Sequence, residues 1–163
     1  NDINALQAPG ALDVVADSAV MICLMHMQGK PETMQHNPQY SDVVAEVISF
    51  LEQRVAAAIS AGIEREHIVI DPGFGFGKTV KHNFQLLHQL SVFQLFGLPI
   101  LAGVSRKSMI CKTLNLKPVQ ALNGTTVVNT IALLNGASIL RVHDVKEAQE
   151  AIHLIKELHA AVD

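Results

Sequence analysis

The sequence predicts an α/β protein, a parallel sheet covered by helices. Short apolar runs alternate with longer segments of helical periodicity. The runs are apolar throughout, as strands buried on both faces require, and do not alternate like half-exposed strands. Polar residues crowd directly after each run, where parallel α/β proteins bind ligands.

Val20-Met21-Ile22-Cys23-Leu24-Met25 is the first predicted strand. A polar loop follows from Gln28 to Pro38, broken by Gly29, Pro31 and Asn37. Val44, Val47, Ile48, Leu51, Val55 and Ile59 then recur at helical spacing, with Ser41 as the expected N-cap and Gly62 as the stop. His67-Ile68-Val69-Ile70 is the second strand, closed by Asp71. A glycine-rich loop runs to Lys78, and a helix spans roughly Lys81 to Phe96. Pro99 to Val104 is the third strand. Ser105-Arg106-Lys107-Ser108 opens one helix, and a second runs from about Pro118 to Leu134. Ser138-Ile139-Leu140 is the fourth strand, continuing through Arg141, Val142 and His143. Val145, Ala148, Ile152, Ile155 and Leu158 mark one face of the last helix.

The 163 residues are expected to form one domain, residues 1–163. Four βα units suit either a small open doubly wound sheet or half of a (β/α)8 barrel, which typically needs ~250 residues.

Composition narrows the function. With 49% hydrophobic residues the chain can bury a substantial core. A net charge of −3 without basic runs, and Tyr40 alone without Trp, argue against a nucleic-acid partner. No apolar stretch reaches the ~18 residues of a membrane span. The polar opening Asn1-Asp2-Ile3-Asn4, with neither signal pattern nor initiator Met, predicts a processed or truncated cytoplasmic chain. Cys23 and Cys111 read as buried thiols of a reducing compartment. His36, His67, His82, His88, His153 and His159 stand at no metal-ligand spacing.

His26, Met27 and Gln28 follow the first strand and Asp71 ends the second. Ser105 to Ser108 follow the third, and Arg141 and His143 sit near the end of the fourth. Asp71 paired with Lys107, or Arg141 capping a helix, would be purely structural. Gathering that many charges at one sheet end without use is costly, so the set reads as a polar small-molecule site. Gly73-Phe74-Gly75-Phe76-Gly77-Lys78-Thr79 is not a P-loop, because Pro72 occupies the position of the first required glycine. The dinucleotide fingerprint fails too, its third glycine coming one residue early. The glycines are expected to form a tight loop whose backbone approaches a flat ligand.

These segments together resemble dihydropteroate synthases. Asp71-Pro72-Gly73-Phe74-Gly75-Phe76-Gly77-Lys78 is similar to that family's sixth-strand signature, Ser105-Arg106-Lys107-Ser108 to the seventh, and Arg141-Val142-His143-Asp144 to the eighth. Leu24 to Gly29 resembles the fifth-strand segment, and Asn1-Asp2-Ile3 the end of the fourth. The resemblance implies the C-terminal half of a (β/α)8 barrel, strands 5–8 with their helices. It implies condensation of 6-hydroxymethyl-7,8-dihydropterin diphosphate with p-aminobenzoate, with sulfonamides as competitive inhibitors. It places Asn1, Met25, Asp71, Phe76, Lys107 and Arg141 around the pterin, with Phe76, Lys107 and Ser108 at p-aminobenzoate. Arg141 and His143 would meet the diphosphate, and Lys107, Arg141 and His143 would be catalytic. The family's first three strands have no counterpart here. They would carry the loop that helps hold Mg2+, so no metal ligand is expected in this segment, and the segment alone should be inactive and prone to aggregate. A homodimer is implied. A methyltetrahydrofolate-type methyltransferase domain and a non-catalytic pterin-binding half barrel are the alternatives.

Overall fold

A computed structural model describes residues 1–161. Helix α1 (Ala11–Ser18) precedes strand β1 (Ile22–Met25), and α2 (Val43–Ser60) leads to β2 (Ile68–Asp71). Next come α3 (Val80–His88), β3 (Leu101–Ala102), α4 (Ser108–Leu114), α5 (Leu122–Leu134), β4 (Ile139–Leu140) and α6 (Val145–Ala160).

The strands are parallel and stand in sequential order. β1 pairs with β2 so that Met25 lies opposite Asp71, and β3 pairs with β4 through Leu101 and Ile139. A parallel bridge from Ile70 to Ile100 joins the two pairs, and Asp2 bridges to Leu24 outside β1. Neighbours in space are thus neighbours in sequence, without the reversal of a doubly wound sheet.

The two faces of the sheet differ. Ile22, Leu24, Ile68, Ile70, Ile100 and Ala102 belong to the large core beneath the helices. Cys23, Val69 and Leu101 form a small cluster of their own. Side chains alternate along a strand, so Met25, Asp71, Gly103 and Arg141 continue the face of the small cluster.

Several boundaries differ from expectation. Val20 and Met21 are exposed and precede β1. Asp42, not Ser41, caps α2: its carboxylate accepts from the Val44 and Ala45 amides at 2.9 and 3.1 Å. Glu46 answers by accepting from Ser41 and Asp42 N–H, which leaves Ser41 one residue outside. Gly62 does stop this helix, at a φ of 94°. The helix expected over 81–96 breaks at Gln89 into α3 and a 3-10 turn, Leu90–Phe96. The one expected from Pro118 splits into a 3-10 turn, Pro118–Gln120, and α5. β3 and β4 are only two residues long, so Arg141, Val142 and His143 lie beyond β4. Helix α1 was not foreseen; it packs Leu12, Val15 and Ala16 on the core. Cys23 is buried, and burial pushes its thiol up to about 12, but Cys111 is only half-buried.

Candidate active site

Asp71 ends β2 with its side chain 1% exposed. Its Oδ1 accepts from the Gly73 amide at 2.7 Å, and its Oδ2 accepts from Asn1 Nδ2 at 3.4 Å. Arg141 Nη2 lies 3.9 Å from the same Oδ2. Burial pushes the Asp71 carboxyl up, opposed by the Gly73 amide, Lys107, Asn1 and Arg141. The second oxygen, with only these two distant donors, keeps acceptor capacity for a ligand.

Arg141 reaches Asp71 because residue 103 has no side chain. A Cβ there would stand 2.7 Å from Arg141 Nη2. The backbone N–H of Arg141 still donates to the Ala102 carbonyl at 3.0 Å, which holds the residue at the sheet end. The alternative partner, Asp144, is taken: Arg106 grips it through Nε at 3.0 Å and Nη2 at 2.5 Å.

Lys107 enters from the turn before α4. Arg106 adopts a left-handed φ of 55°, and its N–H donates to Thr125 Oγ1 at 3.0 Å. Lys107 then folds back, donates to the Phe74 carbonyl, and stands 4.8 Å from the centre of the Phe76 ring. It forms no ion pair with Asp71. Burial pulls its ammonium down to about 8, with Asp71 raising and Arg141 lowering it. Phe76 is half-buried and Met25 fully buried. Ser108 is exposed in the first turn of α4.

His143 is held by Ser105. Its Nδ1 lies 2.8 Å from Ser105 Oγ, and its N–H donates to the same oxygen at 3.3 Å. Contacts around Asp71 and Phe76 thus bring Asn1, Lys107 and Arg141 together, while His143 is engaged by Ser105.

The glycine-rich loop turns tightly, as expected. Gly73, Gly75 and Gly77 all have positive φ, 73°, 83° and 63°. A Cβ on Gly73 would overlap the His26 carbonyl, and one on Gly77 the Gln28 carbonyl. The close approach is thus to the chain's own backbone after β1. Sequence reasoning assigned no role to the Lys78 side chain. Its ammonium turns inward and donates to the Gly73 and Phe76 carbonyls at 2.9 and 3.0 Å. Tyr40 fastens the same loop from outside, its hydroxyl donating to the Gly77 carbonyl at 2.9 Å.

Among the described residues, no three His, Cys, Asp or Glu side chains converge to hold a metal ion. No helix among the described residues is long and apolar enough to cross a membrane.

A parallel α/β scaffold with a carboxylate, an ammonium and a guanidinium at its strand ends defines a small-molecule-binding protein of the enzyme type. Residues 1–143 match the pterin binding enzyme family, and the chain belongs to it. It is 49% identical over 156 residues to the dihydropteroate synthase of Escherichia coli K12, covering 96% of this chain and 55% of that protein. A Yersinia pestis dihydropteroate synthase structure with a sulfonamide drug complex superposes with a TM-score of 0.96. It is 45% identical and covers 98% of this chain and 58% of that one. A Xanthomonas albilineans dihydropteroate synthase structure with 4-aminobenzoic acid gives a TM-score of 0.91 at 44% identity, covering 98% and 57%. The chain spans a little over half the length of the relatives it matches.

Proposed function

We propose that this chain is the C-terminal half of a (β/α)8 barrel, residues 1–163 forming one domain with a preceding half. The whole protein is then a dihydropteroate synthase. It joins 6-hydroxymethyl-7,8-dihydropterin diphosphate to p-aminobenzoate, giving 7,8-dihydropteroate and diphosphate. The sequential parallel strands support the barrel. The observation that carries the function is Asp71, a buried carboxylate with an oxygen open to paired donors.

The pterin ring offers an amino group and a neighbouring ring N–H, which one carboxylate accepts together. Asn1 meets the remaining edge, and Lys107 donates to the pterin carbonyl. Arg141 lies on the ring face, for which a planar guanidinium is suited and an ammonium is not. Phe76 and Met25 supply apolar walls. As diphosphate leaves, its growing negative charge is met by Arg141 and His143, and the amine of p-aminobenzoate attacks the methylene carbon. Ser108, in the first turn of α4, is placed for the p-aminobenzoate carboxylate, as Phe76 and Lys107 are for its ring. No protein nucleophile is needed.

Magnesium would assist the leaving diphosphate, but the residues present here do not build a site for it, and no step is routed through it. Sulfonamides, mimicking p-aminobenzoate, should compete with it. The protein should act in the cytoplasm as a homodimer, with this segment inactive alone. The test is turnover by the full-length protein. Release of diphosphate with formation of dihydropteroate supports the reading. Pterin binding with no turnover on p-aminobenzoate overturns it.

A further inference from the structure

Lys78 is 2% exposed and forms no ion pair among the described residues. Its ammonium is 2.9 Å from His26 Nδ1, in addition to the Gly73 and Phe76 carbonyls. An ammonium has three protons, and here they meet three acceptors. The contact makes Nδ1 of His26 the acceptor, so its ring is neutral with the proton on Nε2. An apolar side chain at this position would remove the cost of a buried charge but orphan all three acceptors.

Two of those acceptors belong to the site. Gly73 receives Lys78 on its carbonyl and gives its N–H to Asp71 Oδ1. Phe76 receives Lys78 on its carbonyl and presents its ring to the Lys107 ammonium. We propose that Lys78 is a positioning residue, an internal cation around which residues 71–78 fold, and that it aims Asp71 and Phe76 at a pterin ring. This rests on the pterin-binding reading above.

The ionisable groups around the ammonium are His26 beyond β1, Asp71 on β2, His82 on α3, Lys107 before α4, and Tyr40 outside Gly77. Burial lowers Lys78 to about 7, with Asp71 raising and Lys107 lowering it. Once it loses a proton the amine keeps two donors and gains a lone pair, the hydrogen bonds to the Gly73 and Phe76 carbonyls lose their charge assistance, and the loop loosens. Pterin affinity should therefore fall as pH rises through neutrality. Lys107 also titrates above neutrality and is coupled to Lys78, so Lys78 is read from loop exchange in the ligand-free protein together with the affinity profile.

The experiment uses the full-length protein with 6-hydroxymethylpterin as probe, by calorimetry between about pH 6 and 9. Hydrogen exchange of amides 73 to 77 is followed in the ligand-free protein. Lys78→Met should weaken binding roughly tenfold at neutral pH, since small misplacements at a site are expensive. It should flatten the loss of affinity above neutrality and speed exchange in the loop but not in β2. Lys78→Arg should not rescue, because a planar fork cannot serve three acceptors converging on one point. If Lys78→Met does not fold, Lys78→Gln makes the same comparison. Unchanged affinity, pH profile and loop exchange in the Lys78 variant, with affinity lost in Asp71→Asn, overturns the proposal and leaves the pterin reading standing. Failure of the unsubstituted protein to bind the probe overturns the pterin reading and the aiming role with it. Loop exchange then still decides whether Lys78 organises residues 71–78.

Discussion

Asp71 and Arg141 face one another across Gly103, with Arg141 Nη2 3.9 Å from Asp71 Oδ2. The pair is lopsided. The carboxylate is buried, while the Arg141 side chain is 50% exposed. The contact is long enough to leave the carboxylate lone pairs open, and it keeps the guanidinium beside them, over the proposed pterin position. Gly103→Ala should push Arg141 aside, because the flexible end of its side chain yields more readily than the sheet. Pterin affinity should drop severalfold with less than about 1 kcal/mol lost in stability. Calorimetry and thermal unfolding of one variant check both; intact affinity would show that Arg141 does not need the gap.

Asp71→Asn turns an acceptor into a donor that faces the ligand's own donors. In the full-length protein, pterin affinity should fall by at least ~1.5 kcal/mol, the lower bound for a hydrogen bond to a charged group. Titration calorimetry reads this directly, and unchanged binding would remove Asp71 from its proposed role.

Arg141→Ala should lower kcat more than it raises KM for the pterin diphosphate, since the leaving group gains charge in the transition state. Arg141→Lys should rescue poorly, lacking the planar face and the fork. A merely structural Arg141 would instead lower the melting temperature and leave kcat near normal.

Acid should destabilise the fold through His26. Burial and the neighbouring Lys78 hold its pKa down at about 3, against an ordinary value of 6.5. Between these values the unfolded chain binds a proton that the folded chain refuses, so stability falls as pH drops through the window. His26→Gln keeps a polar side chain for Lys78 but cannot titrate. Its melting temperature should depend less on pH between about 6.5 and 4. Equal slopes would place the acid sensitivity elsewhere.

The full-length protein should sediment as a dimer at micromolar concentration through helices of this half. Leu122, Val127, Ile131 and Leu134 on α5, with Leu154 and Leu158 on α6, are large apolar side chains left exposed. A monomer would contradict this.

Much of this was legible in the sequence because parallel sheets place function by position. Once β1 and β2 are read as continuous apolar runs, Asp71 must stand at a strand end, and Lys107 and Arg141 follow by the same reasoning. What could not be read is direction. Nothing in Gly77-Lys78 tells that the lysine turns inward. His143 shares strand parity with Arg141, yet Ser105 captures it. The gap at Gly103 is likewise a cross-strand fact, visible only when Arg141 lies beside it. Helix α1 was overlooked, although Leu12, Val15 and Ala16 stand at helical spacing and pack on the core. β3 was drawn too long because apolar residues flank its ladder on both sides, and β4 because Arg141, Val142 and His143 were taken to extend it.

The unequal division of buried residues between the two faces of the sheet bears on assembly. Among the described residues, cohesion comes mainly from the side under the helices, whereas the opposite side holds Cys23, Val69 and Leu101 as a small cluster. In a closed barrel that opposite side is the interior, filled by layers of side chains from all the strands. The proposed preceding half would therefore complete the core of this one, and the two would depend on each other to stay folded.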